Sequence, residues 1–208
     1  MSILALTSNT LTSPAAAGNI EYTSPIFAAT PISTERGIVP TQQYYRVNTA
    51  VAGANATGAQ SIFGVGVTLS ASTVYEFEIY AIFTKPTGAS SHTFALGFGG
   101  TASLNNIGYS SYGQLLSSAL PGNVSTNAYG SISNTATAQV AFSGLALASF
   151  CLGTLVKGTV SVNAGGTFIP QYTLSAAPGG AYSTAIGSFI RIAPVSASGS
   201  NTSVGAWA

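Results

Sequence analysis

Two glutamates two residues apart, one histidine and one cysteine are the side chains on which chemistry could rest in this sequence. Glu76 and Glu78 share one face of an extended segment at a spacing of roughly 7 Å, which would suit a glycosidase carboxylate pair. Such pairs normally come from different strands, and no separate acid is available, so pairing with Lys157, Arg191 or Lys85 across strands or subunits is expected instead. Cys151 and His92 would make a thiol nucleophile and its base only if they met in space. Cys151, however, sits mid-strand between Phe150 and Leu152, the place of a small buried hydrophobe. His92 follows a turn and opens a strand, so a structural hydrogen-bonding role is expected. There is no Asp for a Ser-His-Asp triad, and one His with one Cys gives no metal-ligand spacing. The glycine-rich stretches form neither a dinucleotide fingerprint nor a P-loop. No catalytic, cofactor-binding or metal residue is assigned, and the expectation is a protein that is not an enzyme.

This scarcity of chemistry belongs to a wider scarcity of charge. Five Lys and Arg with four Glu make up 4% of 208 residues, where an ordinary soluble domain carries about 25%. A surface so bare does not keep copies apart by repulsion. The chain is expected to work packed against itself or against a larger assembly. A net charge of +1 without a basic cluster lacks the footprint of a nucleic-acid binder. Ten Phe, ten Tyr and a 46% hydrophobic content exclude a disordered chain. The window from Ala138 to Val156 approaches the length of a membrane-spanning helix, but Gln139, Ser143, Ser149 and two Gly interrupt it and strand-like alternation flanks it. No membrane insertion is expected. No Lys or Arg precedes the first apolar stretch, so no secretory leader is expected either. The sequons at Asn55, Asn123 and Asn201 matter only in a secreted protein.

The elements that would position these residues are strands. Val74 to Phe83 places Tyr75, Phe77, Ile79, Ala81 and Phe83 on one face and Glu76, Glu78, Tyr80 and Ile82 on the other. Phe150 to Val162 alternates in the same way, and the Gly pair after Asn163 signals a hairpin into FIPQYTLS. Gly97, Gly99 and Gly100 suggest a bulge or a close backbone approach. No helical spacing is sustained from Gln43 on. The fold class expected is all-β, an antiparallel jelly-roll-like sandwich over residues 41–208. Residues 1–40, with Pro14, Pro25, Pro31 and Pro40 and no clean periodicity, are expected as an irregular arm lying along a partner. Glu21, Tyr22, Glu35 and Arg36 are its candidate attachment residues. Several strands are apolar or aromatic on both faces, so a second cover is needed, and another subunit supplies it most directly. Tyr80, Tyr172, Phe189, Arg191 and Trp207 are the candidates for that contact.

Several phrases resemble virion proteins of tailed bacteriophages. They include GNIEY (Gly18 to Tyr22), Arg36-Gly37, QSIFGVGVTLSASTVYEFE (Gln60 to Glu78) and SHTFALGFGGTA (Ser91 to Ala102). They continue through VKGTVSVNAGGTFIPQYTLSAAPGG (Val156 to Gly180) to SFIRIAPVSASGSNTSVGAWA (Ser188 to Ala208). The stretch from Leu115 to Gly144 matches least. The resemblance implies a virion surface protein made in the host cytoplasm, a trimeric sandwich of the jelly-roll kind. A short arm without a heptad shaft suits a capsid decoration (cement) protein or head knob, partnered by the major capsid protein. A tail-fibre or tail-tip receptor-binding protein, partnered by a tail protein and a host surface glycan, is the alternative, and a free carbohydrate-binding lectin a further one.

Overall fold

A computed structural model describes residues 6–32, 35–116, 124–201, 203–205 and 207, so that Asn123 lies outside the described residues. These residues form strands and no helix: β1 (Ile20–Thr23), β2 (Ile26–Ile32), β3 (Glu35–Val39), β4 (Gln43–Arg46), β5 (Val51–Ala52), β6 (Gln60–Ser61), β7 (Val67–Leu69) and β8 (Thr73–Lys85). After these come β9 (His92–Gly99), β10 (Ser103–Leu116), β11 (Val124–Ser133), β12 (Gln139–Leu145), β13 (Phe150–Ala164), β14 (Gly166–Leu174), β15 (Ser183–Thr184) and β16 (Phe189–Ala197). The apolar window from Ala138 thus falls on β12 and β13, and no described helix is long and apolar enough to cross a membrane.

The pairing is nested. The β10–β11 hairpin is innermost, β9 pairs with β12 outside it, β8 with β13 outside that, and β7 with β14 outermost, all antiparallel. Rolling up such a nested ribbon brings β10 against β13 and β9 against β14, as observed. This is a jelly roll. It has a large sheet ordered β11-β10-β13-β8, continued by β16 and β4, and a small sheet ordered β12-β9-β14 with β6 and β7 at its far edge.

Alternation decides which side chains fill the space between the sheets. Tyr75, Phe77, Ile79, Ala81 and Phe83 of β8 are buried, as are Phe150, Leu152, Val156, Val160 and Val162 of β13. From the small sheet Phe94, Leu96, Phe168, Tyr172 and Leu174 meet them. Rings dominate the contact: Phe94 stacks on Tyr172 at 5.1 Å and Phe98 on Phe168 at 4.8 Å, while Phe83 and Phe77 reach across to Phe94 and Phe98 at 4.9 and 5.3 Å. Tyr172 is therefore a core residue and not the subunit-contact residue expected for it. Its alternation partners Phe168 and Leu174 point the same way, and its hydroxyl donates to Gln60 Oε1 at 2.9 Å.

The turn after Asn163 is a correction as well. β13 ends in the large sheet and β14 begins in the small one, so the Gly pair makes a crossing between sheets and not a hairpin. Neither glycine there uses a positive φ. They are needed for closeness, since a Cβ on Gly166 would stand 2.6 Å from the Ala102 nitrogen.

The arm also differs from expectation, because β1, β2 and β3 form an antiparallel three-stranded sheet. Its prolines punctuate the strands without preventing them: Pro25 lies between β1 and β2, Pro31 at the register shift of β2, and Pro40 just past β3. Strands this short show no periodicity long enough to read.

At one end of the sandwich the buried Lys85 ties two crossings together. Its Nζ donates to the carbonyls of Thr87 at 3.0 Å, Leu147 at 2.9 Å and Ala148 at 3.4 Å, and to that of Gly88. The ammonium also lies 5.0 Å from the Phe150 ring centroid. Loops 86–91 and 146–149, each carrying the chain from one sheet to the other, thus share one cation. Lys85→Met fills the same volume but leaves the carbonyls without their donor. It is expected to lower unfolding stability by about 2–3 kcal/mol and to speed hydrogen exchange in both loops. Chemical denaturation read alongside hydrogen exchange checks this.

Candidate interaction surfaces

Directly paired residues of neighbouring strands share a face, so the register fixes what stands outside the large sheet. One row runs Tyr112, Leu155, Tyr80, Phe189, Arg46 across β10, β13, β8, β16 and β4. The next runs Ser110, Lys157, Glu78, Arg191, Tyr44, and the third includes Thr159, Glu76 and Ala193. In the second row Glu78 Oε2 accepts from Lys157 Nζ at 2.8 Å and from Arg191 at 2.9 Å. The hydrogen bond from Lys157, helped by Arg191, holds the Glu78 carboxyl below the usual glutamate range. The Phe189 ring lies 5.6 Å from Tyr44 and 5.9 Å from Tyr80, a cluster of three rings beside the ion triad. A recess of ≈280 Å³ opens beside these ions, lined by Gln42, Glu76, Glu78, Lys157 and Arg191.

The nine charges are thus sharply sorted. Glu21, Glu35 and Arg36 belong to the arm, and Lys85 is buried. The other five, Arg46, Glu76, Glu78, Lys157 and Arg191, all stand on the outer face of the large sheet. The outer face of the small sheet carries none. Its rows are Val140, Ala95, Thr173; then Gly97, Gln171, Ser61; then Gly99 and Ile169. Gly97 and Gly99 leave room for what lies over them, because a Cβ would stand 2.9 Å from the Ala138 Cα or 2.5 Å from the Gln171 side chain. This is the close approach the glycines suggested. A recess of ≈210 Å³ is lined by Gly97, Ala136, Ala138, Gln171 and Thr173.

The arm's expected attachment residues are largely committed to the arm itself. Glu21 and Arg36 form an ion pair at 2.8 Å. Glu21 Oε1 also accepts from the Thr12 nitrogen at 2.7 Å, and Arg36 donates to the Thr12 carbonyl at 2.6 Å. These bonds, those from Thr12 foremost, lower the Glu21 pKa. Tyr22 stacks on Phe27 at 4.5 Å. Only Glu35 of the four is exposed. One face of this small sheet remains apolar and open, with Ile20, Tyr22, Phe27, Ala29 and Val39 on it.

Of the expected subunit-contact residues, Tyr80, Phe189 and Arg191 come together on the charged face, and Trp207 lies apart, near the arm, where Gly205 approaches the Arg36 carbonyl. Tyr44 on β4 and Tyr112 on β10 add to the aromatic rows of this face. Each sits on a different strand from Tyr80, and only the register shows that they align.

His92 and Cys151 do not form a dyad. The His92 ring places Nδ1 2.7 Å from the Ser90 carbonyl and Nε2 2.6 Å from the Tyr182 hydroxyl. A carbonyl can only accept, so Nδ1 carries the proton and Nε2 accepts from Tyr182. Cys151 is buried, opposite Thr84 of β8. Burial pushes the Tyr172 phenol up to about 12 and raises Tyr182 further. Desolvation, with help from the nearby Lys85 ammonium, lowers the His92 pKa against the opposing bond to Ser90.

No protein-family model and no curated protein matches this sequence. Among solved structures, that of infectious bursal disease virus Gx strain aligns with 88% of this chain at 9% identity and a TM-score of 0.21; this chain spans 44% of the length of that one. A superposition so loose bears on neither fold nor function.

The neutral His92 has a consequence for stability. As pH falls the unfolded chain binds the imidazole proton first, so stability is full above about pH 6.5 and declines from there to the depressed folded value. Thermal melts between pH 8 and 5 are expected to show that decline in the wild type, and His92→Gln to flatten it.

Proposed function

We propose that this chain is a structural protein of a tailed-bacteriophage particle, a self-associating capsid decoration or head-knob subunit. The sorting of charge carries this reading. A sandwich that places all its outward charges on one sheet has one face suited to water and one suited to being covered. The tailed-phage resemblance of the sequence supports the particle, and trimerisation is taken from that same resemblance. The arm is the part that attaches. With Glu21 and Arg36 paired to each other, its contact with the shell is made by the open apolar face bearing Ile20, Tyr22, Phe27 and Val39. The ring cluster of Tyr44, Phe189 and Tyr80 favours a second reading, a tail-tip protein that stacks these rings on host sugars.

Two measurements test the proposal. The purified protein at micromolar concentration is expected to sediment as a trimer, and a stable monomer would contradict self-association. The chain lacking residues 1–40 is expected to stay folded but no longer to attach to heads stripped of the protein. Undiminished attachment would rule out the arm as the anchor, and attachment of the full-length chain to tails alone would favour the tail-tip reading.

A further inference from the structure

We infer that the outer face of the large sheet holds a neutral sugar, one ring seated in the recess over Ala193 and the next lying on the Tyr44–Phe189 pair. The inference rests on the sugar-stacking part of the second reading above and not on the tail location. The recess measures ≈280 Å³, near the lower bound of about 300–1,000 Å³ for ligand sites, so it has room for one ring and not for a longer chain. Its hollow comes from Ala193, whose short side chain stands directly opposite Glu76.

The polar groups around that hollow are of two kinds, and a hydroxyl satisfies both. Glu76 is exposed and has no hydrogen bond or ion pair among the described residues, so its carboxylate is free to accept. Glu78 gives Oε2 to both Lys157 and Arg191, which leaves Oε1 open. Lys157 and Arg191 are exposed and keep N–H donors beyond those given to Glu78. Carboxylates only accept and these cations only donate, whereas a sugar hydroxyl does both. Neighbouring hydroxyls of one ring therefore donate to Glu76 and accept from Arg191, each bond strengthened by the protein's charge. An anion does not fit, because Glu76 and Glu78 offset the two cations and repel it. A wholly apolar ligand does not fit either, since it would strip water from four ionic groups.

The rings lie where a second sugar unit would reach. Phe189, Arg191 and Ala193 follow one another on one face of β16, about 7 Å apart. Arg191 thus stands between the hollow and the Phe189 ring and can donate to hydroxyls on either side. Tyr44 is paired with Arg191, its ring 5.6 Å from that of Phe189. At 58% exposure it offers a ring to the C–H side of a pyranose.

Saturation-transfer NMR on the full chain tests this site. The neutral probes are the methyl glycosides of glucose, galactose, mannose and N-acetylglucosamine, with lactose, maltose and chitobiose as disaccharides. The anionic probes are 3′-sialyllactose and inorganic phosphate. At least one neutral sugar is expected to bind, and its disaccharide more tightly than the single ring. Phosphate is expected not to bind, and sialyllactose to bind no more tightly than lactose. Glu76→Ala should weaken both ring sizes about tenfold or more. Tyr44→Ala should weaken the disaccharide about fivefold and leave the single ring unchanged. Trp207→Ala, at an exposed ring away from this face, should bind like the wild type. Melting curves identify any variant that fails to fold, and Glu76→Gln and Tyr44→Leu then stand in for it. Binding of none of the neutral sugars, tighter binding of the anions, or equal binding by the wild type, Glu76→Ala and Tyr44→Ala overturns the site. That failure leaves the tail location to the attachment experiment above, and attachment to heads alone removes the tail location while leaving the sugar site standing.

Discussion

The packing of one sheet's rings into the other's is the contact on which the rest of the molecule depends. Phe94 on Tyr172 and Phe98 on Phe168 are stacked pairs within the small sheet, and Phe83 and Phe77 of the large sheet reach across to them. Such pairs add about 0.5–1.5 kcal/mol each beyond the area they bury. To place rings from β8 and β13 against rings from β9 and β14, the chain must cross between sheets after β8, β12 and β13. The short crossings follow from that demand. Loops 86–91 and 146–149 are held by one buried ammonium, and the passage from β13 to β14 leaves no space for a side chain at Gly166.

The same alternation that fills the core sorts the charge. Every outward ion of the sandwich stands on a residue paired, directly or through one neighbour, with β8 or β16. Glu78 organises this face by accepting from a lysine on one side and an arginine on the other. The opposite sheet has threonine, glutamine, glycine and alanine in the corresponding places.

Much of this was legible in the sequence, and the losses have physical causes. The period-two alternation of Val74 to Phe83 and of Phe150 to Val162 predicted the buried side of β8 and β13 correctly, because a strand's faces follow from position alone. Tyr172 was misjudged although its own strand held part of the signal, with Phe168, Pro170, Tyr172 and Leu174 alternating against Thr167, Ile169, Gln171 and Thr173, of which only Ile169 is apolar. Whether a glycine-rich turn makes a hairpin or a crossing depends on which strand receives the chain, and the turn residues do not encode that. The arm's sheet escaped notice because its strands are short, and the Glu21–Arg36 pair spans two of them. The sorting of charge needed the register of six strands at once. Sequence revealed that charge was scarce, and only the fold showed where it was kept.

Hydroxyl-radical footprinting of the associated protein tests the central claim, that one face stays in water while the other is covered. The account predicts rapid oxidation of Tyr44, Tyr80 and Tyr112 on the charged sheet, together with protection of Val140 and Ile169 beyond what a single copy's exposure would give. Protection of Tyr80 and Phe189, with Val140 and Ile169 oxidised freely, would contradict it.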